Sequence, residues 1–156
     1  MTIIDNIMYF YECSREEANG MYNLHRSECD GNPSVYVGTY AKYNEGSLFG
    51  MWVDLTTFHD YDDYTEFCEA IHADEKDPEI MLQDYECFSR DLYNESGIDE
   101  DDFNKIVGLA EAVEAYGEDM VNEILSNRPD IASKEDIDEL IIWHGMAAWR
   151  TMPKST

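Results

Sequence analysis

The sequence predicts an α+β protein: short N-terminal helices, a small antiparallel sheet packed by one helix, then an acidic helical region, the whole elongated. Three observations predict it. Residues 34–40 alternate and are rich in β-branched and aromatic side chains, and 47–55 return as a second strand. Residues 60–73, and most of the chain after 97, carry apolar residues at helical spacing. Pro33, Pro78, Gly117 and Pro129 punctuate the joins. The expected divisions are an N-terminal helical extension (1–33), a small α+β domain (34–95) and an acidic helical domain (96–156). With 156 residues, 44% of them hydrophobic, the chain is long enough to bury a core.

In the extension, Ser14 and Glu17 have the spacing of a capping box, followed by Ala18, Met21, Tyr22 and Leu24 on a helical repeat. SVYVGTY (34–40) and SLFGMWVDL (47–55) read as an antiparallel pair joined by a turn at Tyr43-Asn44-Glu45-Gly46. Gly38, Gly46 and Gly50 fit close backbone approach in that hairpin better than a phosphate loop. The hairpin aromatics Tyr36, Tyr40, Tyr43, Phe49 and Trp52 read as the core of one sheet face, with a partner surface as the alternative. Over 60–73, Tyr64, Phe67, Cys68 and Ile71 form one apolar helix face, and EIMLQDYECF (79–88) supplies a third strand. Asp99 caps a helix bearing Phe103, Ile106, Val107, Ala110 and Val113, which Gly117 ends. A second helix holds Met120, Val121, Ile124 and Leu125. A third, opened by Ser133 and Asp136, carries Ile137, Leu140, Ile141 and Trp143.

Charge is the outlier. The chain has 35 Asp and Glu against 10 Lys and Arg, a net of −25, and residues 60–139 alone hold 27 acids and 5 bases. Such a surface argues against direct nucleic-acid binding, which uses excess Lys and Arg, and against anionic membranes. The acids recur within each helix and loop, so on a folded chain they face solvent as a rigid carboxylate surface. Its expected members are Asp60, Asp62, Asp63, Glu66, Glu69, Asp74, Glu75, Asp77, Asp99, Glu100, Asp101, Asp102, Glu111, Glu114, Glu118, Asp119 and Glu123. The N-terminus carries Asp5, Glu12, Glu16 and Glu17 without a basic start, so no signal peptide is read there. Cys13, Cys29, Cys68 and Cys87 form no C-x-x-C, which suits reduced thiols in a cytoplasm.

Catalytic and metal chemistries fare poorly. An EF-hand loop begun at Asp60 or Asp99 would place Tyr64 or Phe103 at its fifth position, and neither has the required Gly. His25/Cys29 and Cys68/His72 are i, i+4 pairs that could close a zinc site only if the extension packs on the 64–73 helix. No G-x-S-x-G, H-E-x-x-H or P-loop occurs, so no nucleophile or cofactor site is expected.

SVYVGTYAKYNEGSLFGMWVDLTTF (34–58) resembles the opening of the ArdA family of antirestriction proteins, in which a strand leads through a K-Y-N-x-G turn into a strand ending W-x-D-L. DEKDPEIMLQDYECF (74–88) and NESGIDEDDFNKIVGLAEAV (94–113) resemble the family's next two blocks, in the same order. The resemblance implies a DNA mimic carried by plasmids, phages and conjugative elements, commonly homodimeric, that occupies the DNA groove of Type I restriction-modification enzymes. It covers 34–125, corresponding to the family's first two domains. Residues 1–33 lie outside it, and the family's third domain has no counterpart. At one charge per about 1.7 Å of duplex axis, 22 excess charges match roughly 37 Å, on the order of 11 base pairs. The expected partner is a DNA-binding defence enzyme, a Type I complex first. The same surface could instead serve against another nuclease such as a CRISPR effector, and an acidic metal-binding protein or enzyme is the alternative of a different class. Like-charge density over 60–139 should make stability rise with NaCl through screening. An unfolding midpoint that stays flat or falls between low and moderate salt excludes a concentrated acidic face.

Overall fold

Two successive capping boxes start the chain. Thr2 and Asp5 exchange side-chain-to-backbone bonds of 3.1 Å at the head of helix α1 (Ile3–Tyr11). Ser14 and Glu17 do the same at the head of α2 (Arg15–His25), as their spacing predicts. Each box satisfies backbone N–H groups that have no partner within the helix. Glu12, between them, takes the left-handed conformation (φ 55°) that ends α1. The structure is a computed structural model that describes residues 2–28, 30–131 and 133–144, with side chains described as far as 140.

The fold class is α+β, as predicted. Strand β1 (Ser34–Thr39) is the middle of a three-stranded sheet, flanked antiparallel by β2 (Met51–Asp54) and β3 (Ile80–Glu86). Strand alternation puts Val35 opposite Val53, and Val37 opposite Met51 and Leu82, and all five are buried. Helix α4 (Tyr61–Ala70) turns Tyr64, Phe67 and Cys68 inward, with Ile71 just beyond its end, which is the predicted apolar face. Burial of each large aliphatic side chain contributes about 1.5–3 kcal/mol. The outer edge of β2 is covered by the chain leaving α2: Arg26 bridges to Val53, and Ser27 N–H donates to the Trp52 carbonyl at 3.1 Å.

Three expectations need correction. The turn at 43–46 is a one-turn helix, α3 (Tyr40–Asn44), because Thr39 Oγ1 caps it by accepting from Lys42 N–H; Gly46 (φ +83°) follows it, and β2 starts only at Met51. The hairpin aromatics are not the sheet's core. Tyr36 and Trp52 pair edge-to-face at 5.7 Å on the face opposite Val35 and Val37, half-buried, and Tyr43 is exposed. Pairing of the aliphatic positions in register had already claimed the interior. Leu24 and Val113, expected on buried helix faces, are exposed, and Ala112 is buried in place of Val113.

The chain divides into two compact units, Met1–Phe103 and Asn104–Thr156, the division falling within α5 (Glu100–Tyr116). Asp99 caps α5 through a 2.8 Å bond from Asp102 N–H. In the second unit α6 (Glu118–Asn127) follows Gly117 (φ +88°), and α7 (Lys134–His144) opens on Ser133, whose Oγ accepts from Asp136 N–H. Ala112, Val121, Ile124, Ile131, Ile137 and Leu140 form its core. The side chains of Ile141 and Trp143 lie outside the described residues.

Gly50 shows why the hairpin needs glycine. A Cβ there would stand 2.2 Å from the Val37 carbonyl oxygen, whereas a Cβ on Gly20, within α2, would meet nothing within 4 Å. Gly50→Ala should lower unfolding free energy by about 1–3 kcal/mol. Gly20→Ala should raise it by about 0.4–1 kcal/mol, both read from urea midpoints.

Candidate functional site: an acidic surface and the cation beneath it

Lys42, in α3, is nearly enclosed, and its ammonium has three acceptors. Glu75 Oε2 lies at 2.7 Å, Asp74 Oδ1 at 3.1 Å and His72 Nδ1 at 3.1 Å. An ammonium has three protons, so its donor capacity is filled. Around it the network continues. Thr39 Oγ1 donates to Glu75 Oε2 at 2.6 Å, and Asn6 Nδ2 donates to Asp74 Oδ1 at 2.9 Å and to the Ile71 carbonyl at 3.0 Å. The ammonium also stands 5.1 Å over the Phe49 ring. Burial pushes the Asp74 and Glu75 carboxyls up, but the Lys42 hydrogen bonds and charge outweigh it and hold both below their ordinary values.

The predicted acids distribute as follows. Asp60, Asp62, Asp63, Glu66 and Glu69 are exposed on or just before α4, and Asp77 is exposed in the following loop. Asp99, Glu100, Asp101, Glu111 and Glu114 are exposed at the head and along α5, with Asp102 half-buried. Glu118, Asp119 and Glu123 are exposed on α6 and border an open depression with Tyr116, Gly117 and Met120. Asp74 is exposed and Glu75 half-buried, both committed to Lys42. Asp60 and Asp99, the two starts tested for a calcium loop, are helix caps instead. The Asp63 backbone N–H holds the Asp60 carboxyl below its usual value.

Metal-ligating groups are mostly engaged elsewhere. His72 is fully buried; its Nε2–H donates to the Val37 carbonyl at 3.0 Å while Nδ1 accepts from Lys42. Burial, foremost, and the neighbouring Lys42 charge keep its pKa below the usual histidine value. His25 stacks on Phe58 at 4.0 Å, and its Nδ1 lies 2.9 Å from Thr57 Oγ1, whose own proton goes to the Asp54 carbonyl. Burial pulls the His25 pKa down to about 4. Cys68 is buried, which pushes its thiol up to about 12. Cys29, the fourth member of the zinc reading, lies outside the described residues. Among the described residues, only His59, Asp60 and Asp63 bring three ligand atoms within 4.8 Å of one another, and all three are exposed.

Several groups escaped the sequence reading. Asp54 is buried, its Oδ1 accepting from Thr56 N–H and its Oδ2 from Asn32 Nδ2 at 2.9 Å each. Asn6 is buried beneath the predicted acidic loop. Lys42 left one signal: it is the only Lys or Arg between Arg26 and Lys76, in a stretch with nine Asp and Glu before Asp74. A solitary base among so many acids belongs where they must be held together.

Fold and site together define an α+β protein whose outstanding chemical feature is carboxylate in solvent. The model of the ArdA antirestriction proteins matches residues 35–143, and the chain belongs to that family. Membership makes it an antirestriction protein, whose partners are restriction enzymes, in a family of inhibitors and not of enzymes. Comparison with curated proteins and with solved structures gave no match. No helix among the described residues is long and apolar enough to cross a membrane.

Two outcomes follow from these environments. Lys42→Met leaves two partly enclosed carboxylates without their cation and should cost on the order of 2–4 kcal/mol of unfolding free energy at pH 7. His25 and His72 have folded pKa values below the unfolded value of about 6.5. Their contribution is therefore complete above about pH 6.5 and is lost as pH falls toward 4, because the unfolded chain binds the extra protons. Urea titrations at a series of pH values should show wild type losing more stability over that window than the His25→Gln/His72→Gln double variant. Relief of carboxylate repulsion is common to both and cancels in the difference.

Proposed function

We propose that this protein is a DNA mimic that competes with DNA for the binding groove of a Type I restriction-modification enzyme. The carrying observation is the two-sided construction of its helices. α4 buries Tyr64, Phe67 and Cys68 and presents Asp62, Asp63, Glu66 and Glu69 to solvent. α6 buries Val121 and Ile124 and presents Glu118, Asp119 and Glu123. In all, fifteen of the seventeen predicted acids are exposed. Carboxylates take the places of phosphates, Lys and Arg of the enzyme pair with them, and the enzyme's counterions are released as they are on DNA. Helical backbone holds the charges in place beforehand, which lowers the ordering cost of binding. The protein binds no nucleic acid itself, needs no cofactor, and acts in the bacterial cytoplasm where its target works.

The test is competition between this protein and a DNA duplex for a purified Type I enzyme. Among the described residues, the carboxylates of Asp62, Asp63 and Glu66 form no ion pair within 4 Å. Reversing all three to Lys should weaken inhibition well beyond any single change, since each exposed pair is worth about 0–1 kcal/mol. Inhibition should also fall steeply with salt. Salt-insensitive inhibition, or its loss on removal of one exposed carboxylate, would mean a pocket or catalytic mechanism. Binding to a CRISPR effector or another nuclease with Type I enzymes untouched would keep the mimicry and change the target.

A further inference from the structure

Where α5 gives way to α6, the second unit has an open depression of about 540 Å3, lined by Tyr116, Gly117, Glu118, Asp119, Met120 and Glu123. That volume lies within the ~300–1,000 Å3 of small-ligand sites. Two kinds of surface meet in it. Tyr116 and Met120 are half-buried and pack against the core of the unit, so the part of each that lines the depression is an apolar wall fixed from beneath. The Tyr116 hydroxyl donates to Asp138, which steadies the ring further. Glu118, Asp119 and Glu123 are exposed and supply three carboxylates, and no base lines the depression. A Cβ on Gly117 would meet nothing within 4 Å, so the space over its backbone is open.

The charges decide the sign of an occupant. The start of α6 contributes about half a positive charge, against three carboxylates, so the depression favours a cation. Among the described residues, neither Glu118 nor Asp119 has an ion pair within 4 Å. The apolar wall decides the kind of cation. A guanidinium pairs with carboxylates along its edge, lies on aromatic and apolar surface through its face, and is less strongly hydrated than an ammonium. The protein already places a cation on this same ring: Lys134 Nζ stands 6.0 Å from the Tyr116 ring centroid while pairing with Asp138 at 2.8 Å.

We infer that this depression is a socket for an arginine side chain from the DNA-binding face of the target enzyme. The guanidinium pairs with Glu118 and Asp119 and packs on Tyr116 and Met120, and Glu123 adds to the field. The socket is a discrete point of recognition within the acidic surface, where shape counts as well as charge. The inference rests on the DNA-mimic reading above and adds to it the side chain recognised and the place.

Two measurements on the full chain test it. In the first, isotope-labelled wild type is titrated with arginine and, separately, lysine, each with capped termini, and followed by NMR. Arginine should shift the Tyr116, Gly117 and Met120 amides more than those of Glu111 and Glu114, and more than lysine does. Shifts of equal size at all exposed acids, or equal for the two probes, overturn the inference. The second is competition with a fluorescent DNA duplex for a purified Type I enzyme. Glu118→Gln/Asp119→Asn/Glu123→Gln should need about tenfold more inhibitor than Glu111→Gln/Glu114→Gln/Glu139→Gln, which removes the same charge from exposed positions outside the depression. Met120→Arg puts the protein's own guanidinium into the socket and should impair inhibition more than Asn122→Arg, which adds the same charge at an exposed α6 position outside it. Urea midpoints are read for every variant, and the wild-type titration decides the matter if one unfolds. Equal losses from the two neutral triples, with the Asp62, Asp63, Glu66 reversal inactive, overturn the socket and leave the mimic intact. Full inhibition by the reversal and by both triples overturns the mimic reading as well.

Discussion

The acids of the turn behind α4 are built around one cation. Lys42 collects Asp74, Glu75 and the His72 ring at 2.7–3.1 Å, and those groups come from the turn that follows α4. The same turn receives Asn6 from α1, and Glu75 receives Thr39 from β1. A chain with a net charge of −25 resists compaction wherever its acids crowd. Placing the ammonium under the crowding, and not at the rim, joins the helical extension, the sheet and the acidic helix at one point. The exposed carboxylates can then remain unneutralised, because those that had to approach the interior already have a partner. An Arg would serve less well here: its flat fork suits one carboxylate, whereas an ammonium's three donors suit three acceptors arranged around a point.

The helices solve the remaining part of the electrostatic problem by position. Asp5, Glu17, Asp60 and Asp99 all stand at helix N-termini, where backbone N–H groups and the helix dipole favour negative charge. Acids useful for the surface are in this way also useful for the fold. Few bases are then needed, and two in the second unit sit close to acids: Arg128 on Asp130 at 3.0 Å, Lys134 on Asp138 at 2.8 Å.

Local rules were the legible part. The Ser14/Glu17 box, the Tyr64–Ile71 stripe and the caps at Asp99 and Ser133 each follow from spacing within a few residues. Of the three hairpin glycines only Gly50 meets backbone, at Val37; Gly38 faces the Gln83 side chain and Gly46 open space. The family blocks were readable for the same reason, being short and ordered. What escaped depends on long-range partners. Aromatic residues on the hairpin look like core until the register shows that Val35, Val37, Met51, Val53 and Leu82 already share one face. Asp74 and Glu75 look like two more surface acids until Lys42 arrives from thirty-odd residues upstream. His25 and His72 look like metal ligands until Thr57 and Val37 accept their protons.

The short pairing of Arg26 and Ser27 with the outside of β2 has a consequence for the company the molecule keeps. A sheet of three strands has two margins, and a bare margin is a template on which any extended chain can add itself. Net charge deters copies of the same protein from doing so, but it attracts basic chains, which abound around nucleic acid. An acidic protein with an open strand would therefore gather the wrong cationic peptides by backbone pairing, indifferent to their sequence. On the β3 side, Leu82 N–H is likewise taken by the Glu95 carbonyl at 2.8 Å. With these covers in place, a basic visitor meets side chains at those points and not open backbone, and discrimination among visitors is left to the arrangement of charge.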